Sequence, residues 1–432
     1  VSPALADVVV RPVATDGEIM AWHVLSAETF SSSGDVIASA QRNRQHTDAL
    51  RDFLPRQRRG AFRADELVGG FIIWERWLQV GRARLPIGCI GSVMTASRHR
   101  LGGIGTALMC DSIAYSEEHG HALQLLVGIP NFYHHWGYVD VSDLSWQFIS
   151  RAAVAAIEGP TSSVRAATID DAPALLDLYQ RHYYPHVGSF ARSLEQQQER
   201  IAFGVEANNP PTVVVDGDGV VRGYLVLPRS LHSPQAYEVA ADNWPAVAGL
   251  LRYHSERVES SPEPASELNW PLPPSSHTLA LLVDHLTVPG RQLVFESGDR
   301  LWAVRGETLQ QRNAGWMARL VSLPLLLEGM LPAFQARVAE RSPQWQGTFA
   351  LRVDGVAGAL RIGGGNLALG SPSPHDLVAD LTGAHIMQLM FGYRSISYLA
   401  ASAGAAVPAE LLPVLDTLFP RGQPWIPGTD GF

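Results

Sequence analysis

The sequence contains no lysine, so its 33 lysine-plus-arginine positions are all arginine. That excludes a phosphate-binding P-loop lysine, a Schiff-base lysine and a lysine general base. Only two cysteines occur, Cys89 and Cys110, too few for a disulfide framework and without metal-ligand spacing, so both are expected to pack as small apolar residues and no metal is expected. No apolar stretch runs for the roughly 20 residues a bilayer crossing needs, so no membrane partner is expected. The opening "VSPALADVVVRP" lacks the basic start and apolar block of a secretory signal, which makes the cytoplasm the expected location. A formal net charge of −9 argues against nucleic acid as a partner and leaves a cationic small molecule open.

What is present is a globular composition, 46% hydrophobic and 17% charged, over 432 residues, which is more than one ordinary core holds. Up to about residue 155, "EIMAWHVLSAETF" has helical spacing, "LVGGFIIWERWLQV" reads as a strand hairpin and "LPIGCIGSVMT" as a buried strand. "TALMCDSIAYSEEHG" then reads as an amphipathic helix capped by His119-Gly120, and "ALQLLVGIP" as another strand. An echo follows: "VRAATIDDAPALLDLY" resembles "VVVRPVATDGEIMAWHVL", and "TVVVDGDGVVRGYLVL" reads as a hairpin. The expectation is a second, diverged copy of the first unit, with "ESSPEPASELNWPLPPSS" as a proline-rich surface excursion. From about Gly315 the character changes: "GWMARLVSLPLLLEGM" reads as helix, "GTFALRVDGVAGALRIGGGNLALG" as paired strands with "RIGGGN" a hairpin turn, and "HDLVADLTGAHIMQLMFG" as helix. The tail "LFPRGQPWIPGTDGF" is irregular yet keeps Trp425, Ile426 and Phe432, anchors that predict docking.

The chemistry concentrates at "VMTASRHRLGGIGTALM", a strand, a glycine turn and a helix start. Amides freed at a helix N-terminus point at an anion, missing side chains let it approach, and Arg98 or Arg100 supplies countercharge, so the expected ligand group is a phosphate or pyrophosphate. There is no Gly-Lys-Ser/Thr for a P-loop and no GxGxxG with a following acidic residue for a dinucleotide fold. The Arg-x-x-Gly-x-Gly pattern of Arg100, Gly103 and Gly105 resembles the acetyl-CoA motif of the GNAT N-acetyltransferases. That resemblance implies cofactor contacts from Val93, Met94, Thr95, Arg98, Arg100, Leu101, Gly102, Gly103, Ile104, Gly105 and Thr106, with Val93 and Thr95 pairing to the pantetheine arm. "GIPNFYHHWGYVD" is similar to the GNAT segment whose tyrosine protonates the leaving thiolate, which places Tyr133 in that role. "LPIGCIGSVMTAS" holds no carboxylate, so the base that an amine nucleophile needs comes from elsewhere.

Over its whole length the chain resembles the Eis (enhanced intracellular survival) acetyltransferases. The resemblance implies an α/β (α+β) chain of tandem GNAT folds at 1–155 and 156–312, followed by a sterol-carrier-like domain at 313–432, assembled as a homo-oligomer, usually a hexamer. It further implies an acetyl-CoA-dependent transfer to a primary amine of a small molecule, aminoglycoside or related, with the carboxylate of Phe432 as general base; His134 and His135 are the alternatives. A natural-product tailoring acyltransferase and an acyl-CoA-binding sensor or carrier are the alternative functions. Carboxylates expected near Ser32 and at Gly431 are missing, which weakens attraction for a polycation; Asp430 and Asp35 are the candidates to compensate. Ser97 stands where the motif often has proline, and Gly128 where a serine could contact cofactor. Trp22, Phe30 and Trp136 are candidates for an aromatic substrate wall, and "RQRRG" at 56–60 reads by default as a solvated basic turn.

Overall fold

The computed structural model describes residues 7–31, 34–129, 131–159, 162–228, 232–286, 294–297, 300–303, 307–311 and 315–431. Phe432 and Ser32 lie outside the described residues. The first sheet is built from β1 (Val8–Pro12), β2 (Arg58–Arg63), β3 (Glu66–Val80), β4 (Ala83–Thr95), β5 (Leu123–Val127) and β6 (Val139–Asp140), with the strand Trp316–Leu320 inserted between β5 and β6. The expected boundary at 312/313 thus falls just before a strand that completes the first sheet. "LVGGFIIWERWLQV" is one long strand, not a hairpin, because its continuous β-branched and aromatic run lets it pair with β4 from Gly69 to Val80.

Helices α1 (Asp16–Phe30), α2 (Val36–Ala49) and α3 (Ile104–Glu118) cover this sheet. Thr15 and Glu18 form a capping box that starts α1, and Asp35 caps α2 by accepting from the Ala38 amide at 2.9 Å. Trp22 is core rather than substrate wall: it is 3% exposed, its indole N–H donates to the Arg59 carbonyl at 3.0 Å, and a Cβ on Gly70 would lie 2.5 Å from that nitrogen. The "RQRRG" arginines are not a solvated turn, since each has an acidic partner: Arg56 meets Glu75, buried Arg58 meets Asp48, and Arg59 meets Asp111. Of the cysteines only Cys89 is buried; Cys110 is exposed on α3.

A second sheet orders Glu238–Ala241, Val221–Val226, Thr212–Val215 and Ser163–Ala166, all antiparallel. Its elements run strand, two helices, three strands, helix, the order of β1 through α3. The proline-rich stretch is not a surface excursion: Glu267–Trp270 is a strand paired with Leu144–Ser150, and Leu268, Trp270 and Leu272 are fully buried. In the last part the helix begins at Leu323, after the inserted strand, with Pro324 in its first turn where a missing N–H costs nothing. Its Leu326, Leu327, Met330 and Phe334 fill the face of a four-stranded sheet of residues 347–381. "RIGGGN" is the hairpin turn expected, with Gly364 and Gly365 at positive φ. "HDLVADL" is strand (Leu377–Leu381) and only the following Gly383–Met390 is helix. No helix among the described residues is long and apolar enough to cross a membrane.

Three buried imidazoles predict acid lability. Burial lowers His23, His121 and His254 to about 4 each, and neither ring nitrogen of His23 has a partner among the described residues. Their folded pKa lies below the unfolded value of 6.5, so the unfolded chain takes up protons first as pH falls. Stability is therefore kept above 6.5 and lost progressively toward 4. Thermal unfolding followed by circular dichroism is expected to show Tm level from pH 8 to 7 and lower by about 10 °C at pH 4.5. His23→Phe should lessen that drop; a Tm unmoved by acid would contradict the argument.

Candidate active site

Strands β4 and β5 run parallel and pair only at Ile87–Leu123, Gly88–Gln124 and Cys89–Leu125. Beyond that point β4 stays with β3, through Gly91, Met94 and Thr95, while Leu126 and Val127 of β5 pair with Met317 and Trp316. The two strands therefore splay after Cys89, and the edge of β4 from Ile90 to Thr95 faces a gap. A register shift opposite Gly70–Ile72, with Ser92 at φ +50°, marks a bulge that re-aims the residues around Val93.

At the end of β4, Ser97–His99 forms a tight turn, Leu101 adopts φ +63° with its side chain wholly exposed, and Gly103 starts α3 at φ +80°. Glycine takes that left-handed cap without strain and brings no capping side chain, so the first amides of α3, at Ile104, Gly105 and Thr106, are left for an anion. A Cβ on Gly105 would have nothing within 4 Å, so the flank of α3 at its second residue is open. Arg98 is engaged with Glu66, as is His99 at 3.3 Å, whereas Arg100 is exposed with no ion pair among the described residues. Met94 and Ile104 are buried and can offer only backbone; Val93, Thr95, Gly102 and Gly103 are half-buried and Thr106 exposed.

Tyr133 opens the short turn Tyr133–Trp136 and is 7% exposed. It belongs to the same apolar cluster as Ile90 of β4, Ile104 and Leu108 of α3, Leu126 of β5 and Met317, with Val93 and Trp136 packed against it. The two sequence motifs thus meet at the splay. Burial pushes the Tyr133 hydroxyl above the ordinary phenol range, and no described residue hydrogen-bonds it. Trp136 accepts from Arg319 at 2.8 Å through its carbonyl and leaves its ring against Phe132 and Tyr133. His134 faces Asp140 at 3.4 Å, and His135 is exposed. Phe30 is 57% exposed at the end of α1.

Residues 10–139 match the family model described as an acetyltransferase (GNAT) domain. The chain carries a GNAT acetyltransferase domain. A likeness of fold to solved structures extends along the whole chain. A GCN5-related N-acetyltransferase from Kribbella flavida superposes with TM-score 0.69 at 20% identity, over 99% of this chain and 100% of that one. A GCN5-related N-acetyltransferase from Anabaena variabilis gives TM-score 0.69 at 16% identity, over 97% and 99%. Eis1 from Mycobacterium abscessus gives TM-score 0.60 at 17% identity, over 98% and 100%. At these identities the likeness is one of fold, and it agrees with the Eis resemblance read from the sequence. No curated protein matches the chain at the sequence level.

Asp430 corrects a further expectation. Its carboxylate is fully buried, accepts from Tyr179 at 2.7 Å, and meets Arg192 at 2.7 Å and Arg200 at 3.1 Å. Burial opposes its ionisation, but Arg192 and Arg200 outweigh burial and hold it below the usual carboxylate range. Such a group neither faces a substrate nor accepts a proton at neutral pH. Sequence reasoning missed Arg192, Arg200 and Glu238, because "FARSL", "QERIA" and "YEVA" carry no motif and lie some 190 to 240 residues from the tail residues they hold, Thr429 and Asp430. A cleft of about 940 Å³ lies elsewhere, between His182, His277 and Arg421, and none of the GNAT motif residues lines it.

Proposed function

We propose that this GNAT domain transfers an acetyl group from acetyl-CoA to a primary amine of a small molecule, of the aminoglycoside type or related. The observation that carries the reading is the meeting of an uncapped helix start, a splayed strand edge and a buried tyrosine at one apolar cluster. Acetyl-CoA supplies the acyl group as an activated thioester. The amides of Ile104, Gly105 and Thr106, with Arg100, hold its pyrophosphate. The free edge of β4 from Val93 to Thr95 takes the pantetheine as an added strand, and amides near Val93 polarise the acyl carbonyl. Tyr133 keeps its proton at neutral pH and gives it to the departing thiolate. The base follows the Eis resemblance: with Phe432 as last residue, its carboxylate takes the amine proton, and His134 or His135 replaces it otherwise.

The resemblance also supports two GNAT-like units and a sterol-carrier-like unit within a homo-oligomer, usually a hexamer. The matching element order of 8–118 and 163–259 supports the duplication. Phe30 and Trp136 are the aromatic groups left for the substrate wall.

Thiol release from acetyl-CoA, measured over aminoglycosides, polyamines and aromatic amines, tests this reading, with a second protein extended by one glycine after Phe432. Turnover that is lost on extension while CoA affinity stays is the expected result. Equal activity of the extended protein moves the base to His134 or His135. CoA binding without turnover on any amine favours a specialised natural-product substrate or a carrier, and removes the aminoglycoside reading.

A further inference from the structure

The tail of the chain is held by a buried ionic cage supplied by the second sheet and the helices and loop packed on it. Arg192 has a side chain 3% exposed; it donates to both oxygens of Glu238, at 3.0 and 2.6 Å, to Asp430 at 2.7 Å and to the Thr429 hydroxyl at 2.8 Å. Its guanidinium lies 3.4 Å from the centroid of the Tyr179 ring. Arg200 adds a bond to the Thr429 carbonyl at 2.8 Å and the second positive charge on Asp430. Tyr224 donates to Glu238 at 2.6 Å. Two guanidinium groups thus balance two carboxylates, and the hydroxyls satisfy remaining lone pairs, the condition under which buried charge is tolerated.

The cage is also fastened to the catalytic sheet. The residues just before Arg192 join the far end of β3: Gln79 donates to the Ser189 carbonyl at 2.9 Å, and Ala191 to the Trp77 carbonyl at 2.7 Å. Upstream in the tail, Trp425 donates to Val187 at 2.9 Å and Gly428 to Tyr237 at 3.1 Å.

We propose that Arg192, Arg200 and Glu238 are positioning residues for acetyl transfer: by clamping Thr429 and Asp430 they fix the point from which the chain continues toward its last residues. This rests on the reading that the last residues serve the transfer site. A clamp of buried, mutually satisfied charges has one geometry, whereas the irregular tail alone has many. The second sheet thereby acts in catalysis without touching the reacting atoms.

The test uses the full chain with Asp430→Asn, which keeps shape and removes charge. Tail release is read by carboxypeptidase digestion and mass spectrometry, acetyl-CoA affinity by calorimetry, and kcat and KM by thiol release. Release is expected to quicken by about 10-fold and kcat to fall by about 100-fold, with acetyl-CoA affinity within about 3-fold, because misplacement of roughly 1 Å costs that much. If Asp430→Asn does not fold, Arg200→Met removes only the half-exposed outer guanidinium and is expected to quicken release with a kcat loss of about 5-fold. Unchanged tail release overturns the clamp. Faster release with unchanged kcat overturns its positioning role. Faster release in a protein whose unmutated form turns over no amine leaves the clamp standing and overturns the transfer reading instead.

Discussion

Tyr133→Phe is expected to lower kcat by about 100-fold or more while acetyl-CoA affinity stays within about 3-fold. The substitution removes one oxygen that no described residue hydrogen-bonds, and it keeps the ring that packs on Phe132, Trp136 and Tyr138. Neither the cluster nor the helix start of α3 loses a contact, so Tm should be unchanged or slightly higher, since a buried hydroxyl goes. On the proposed mechanism, what is lost is the proton donor to the departing thiolate. Burial raises the Tyr133 pKa above the ordinary phenol value, so the unmutated enzyme should keep the acid form through neutral pH and lose kcat only on a strongly alkaline limb. In Tyr133→Phe that limb should disappear from the residual activity. A kcat within 3-fold of the parent would remove Tyr133 from the acid role.

Gly105→Asp is expected to weaken CoA and acetyl-CoA binding by about 100-fold with no loss of stability, an effect of roughly 2–3 kcal/mol for a like charge in a partly screened anion site. Gly105 is the second residue of α3, and a Cβ there meets nothing within 4 Å, so the new side chain is accommodated. A carboxylate in the first helical turn complements the helix dipole and stabilises the fold by a few tenths of a kcal/mol. On the proposed reading the same carboxylate repels the pyrophosphate and competes with it for the amides. Calorimetric titration with CoA reads the affinity, and Gly105→Ala, which adds bulk without charge, should lose far less. Undiminished affinity in Gly105→Asp would mean that the turn is a structural helix start and not a cofactor cradle.

The parts of the site legible in the sequence are those in which local chemistry is unusual. The glycine cluster at a helix start is conspicuous in the sequence, and in the structure Gly103 starts α3 in left-handed geometry without a capping side chain. Tyr133 stands out in the sequence by its order after that turn, and the structure brings it into one apolar cluster with Ile104 at the start of α3. Trp22 was misread because an aromatic on a helix beside a cleft and one in the core have the same spacing; only the glycine opposite it, Gly70, decides. Asp430 was misread for a related reason: an acidic residue near a chain end looks solvent-facing until its partners, Arg192 and Arg200, are known. The segment of β3 reads as a hairpin in the sequence, yet it is one strand in which Gly69 and Gly70 admit α3 and α1 close to the sheet. Long-range pairing, the insertion of Trp316–Leu320 above all, leaves no periodicity to read.

That inserted strand sets a timetable for synthesis. The first sheet needs residues from Val8 to Leu320, and the edge of β5 that receives Trp316–Leu320 waits while about 190 further residues are translated, roughly 10–40 s at the usual ribosomal rate. Throughout that interval the nascent chain carries an open, apolar strand edge beside its unfinished catalytic groove. Competence for chemistry is therefore reached late, after most of the polypeptide has left the ribosome, and holdase protection of the emerging amino-terminal third is built into the demands of this topology.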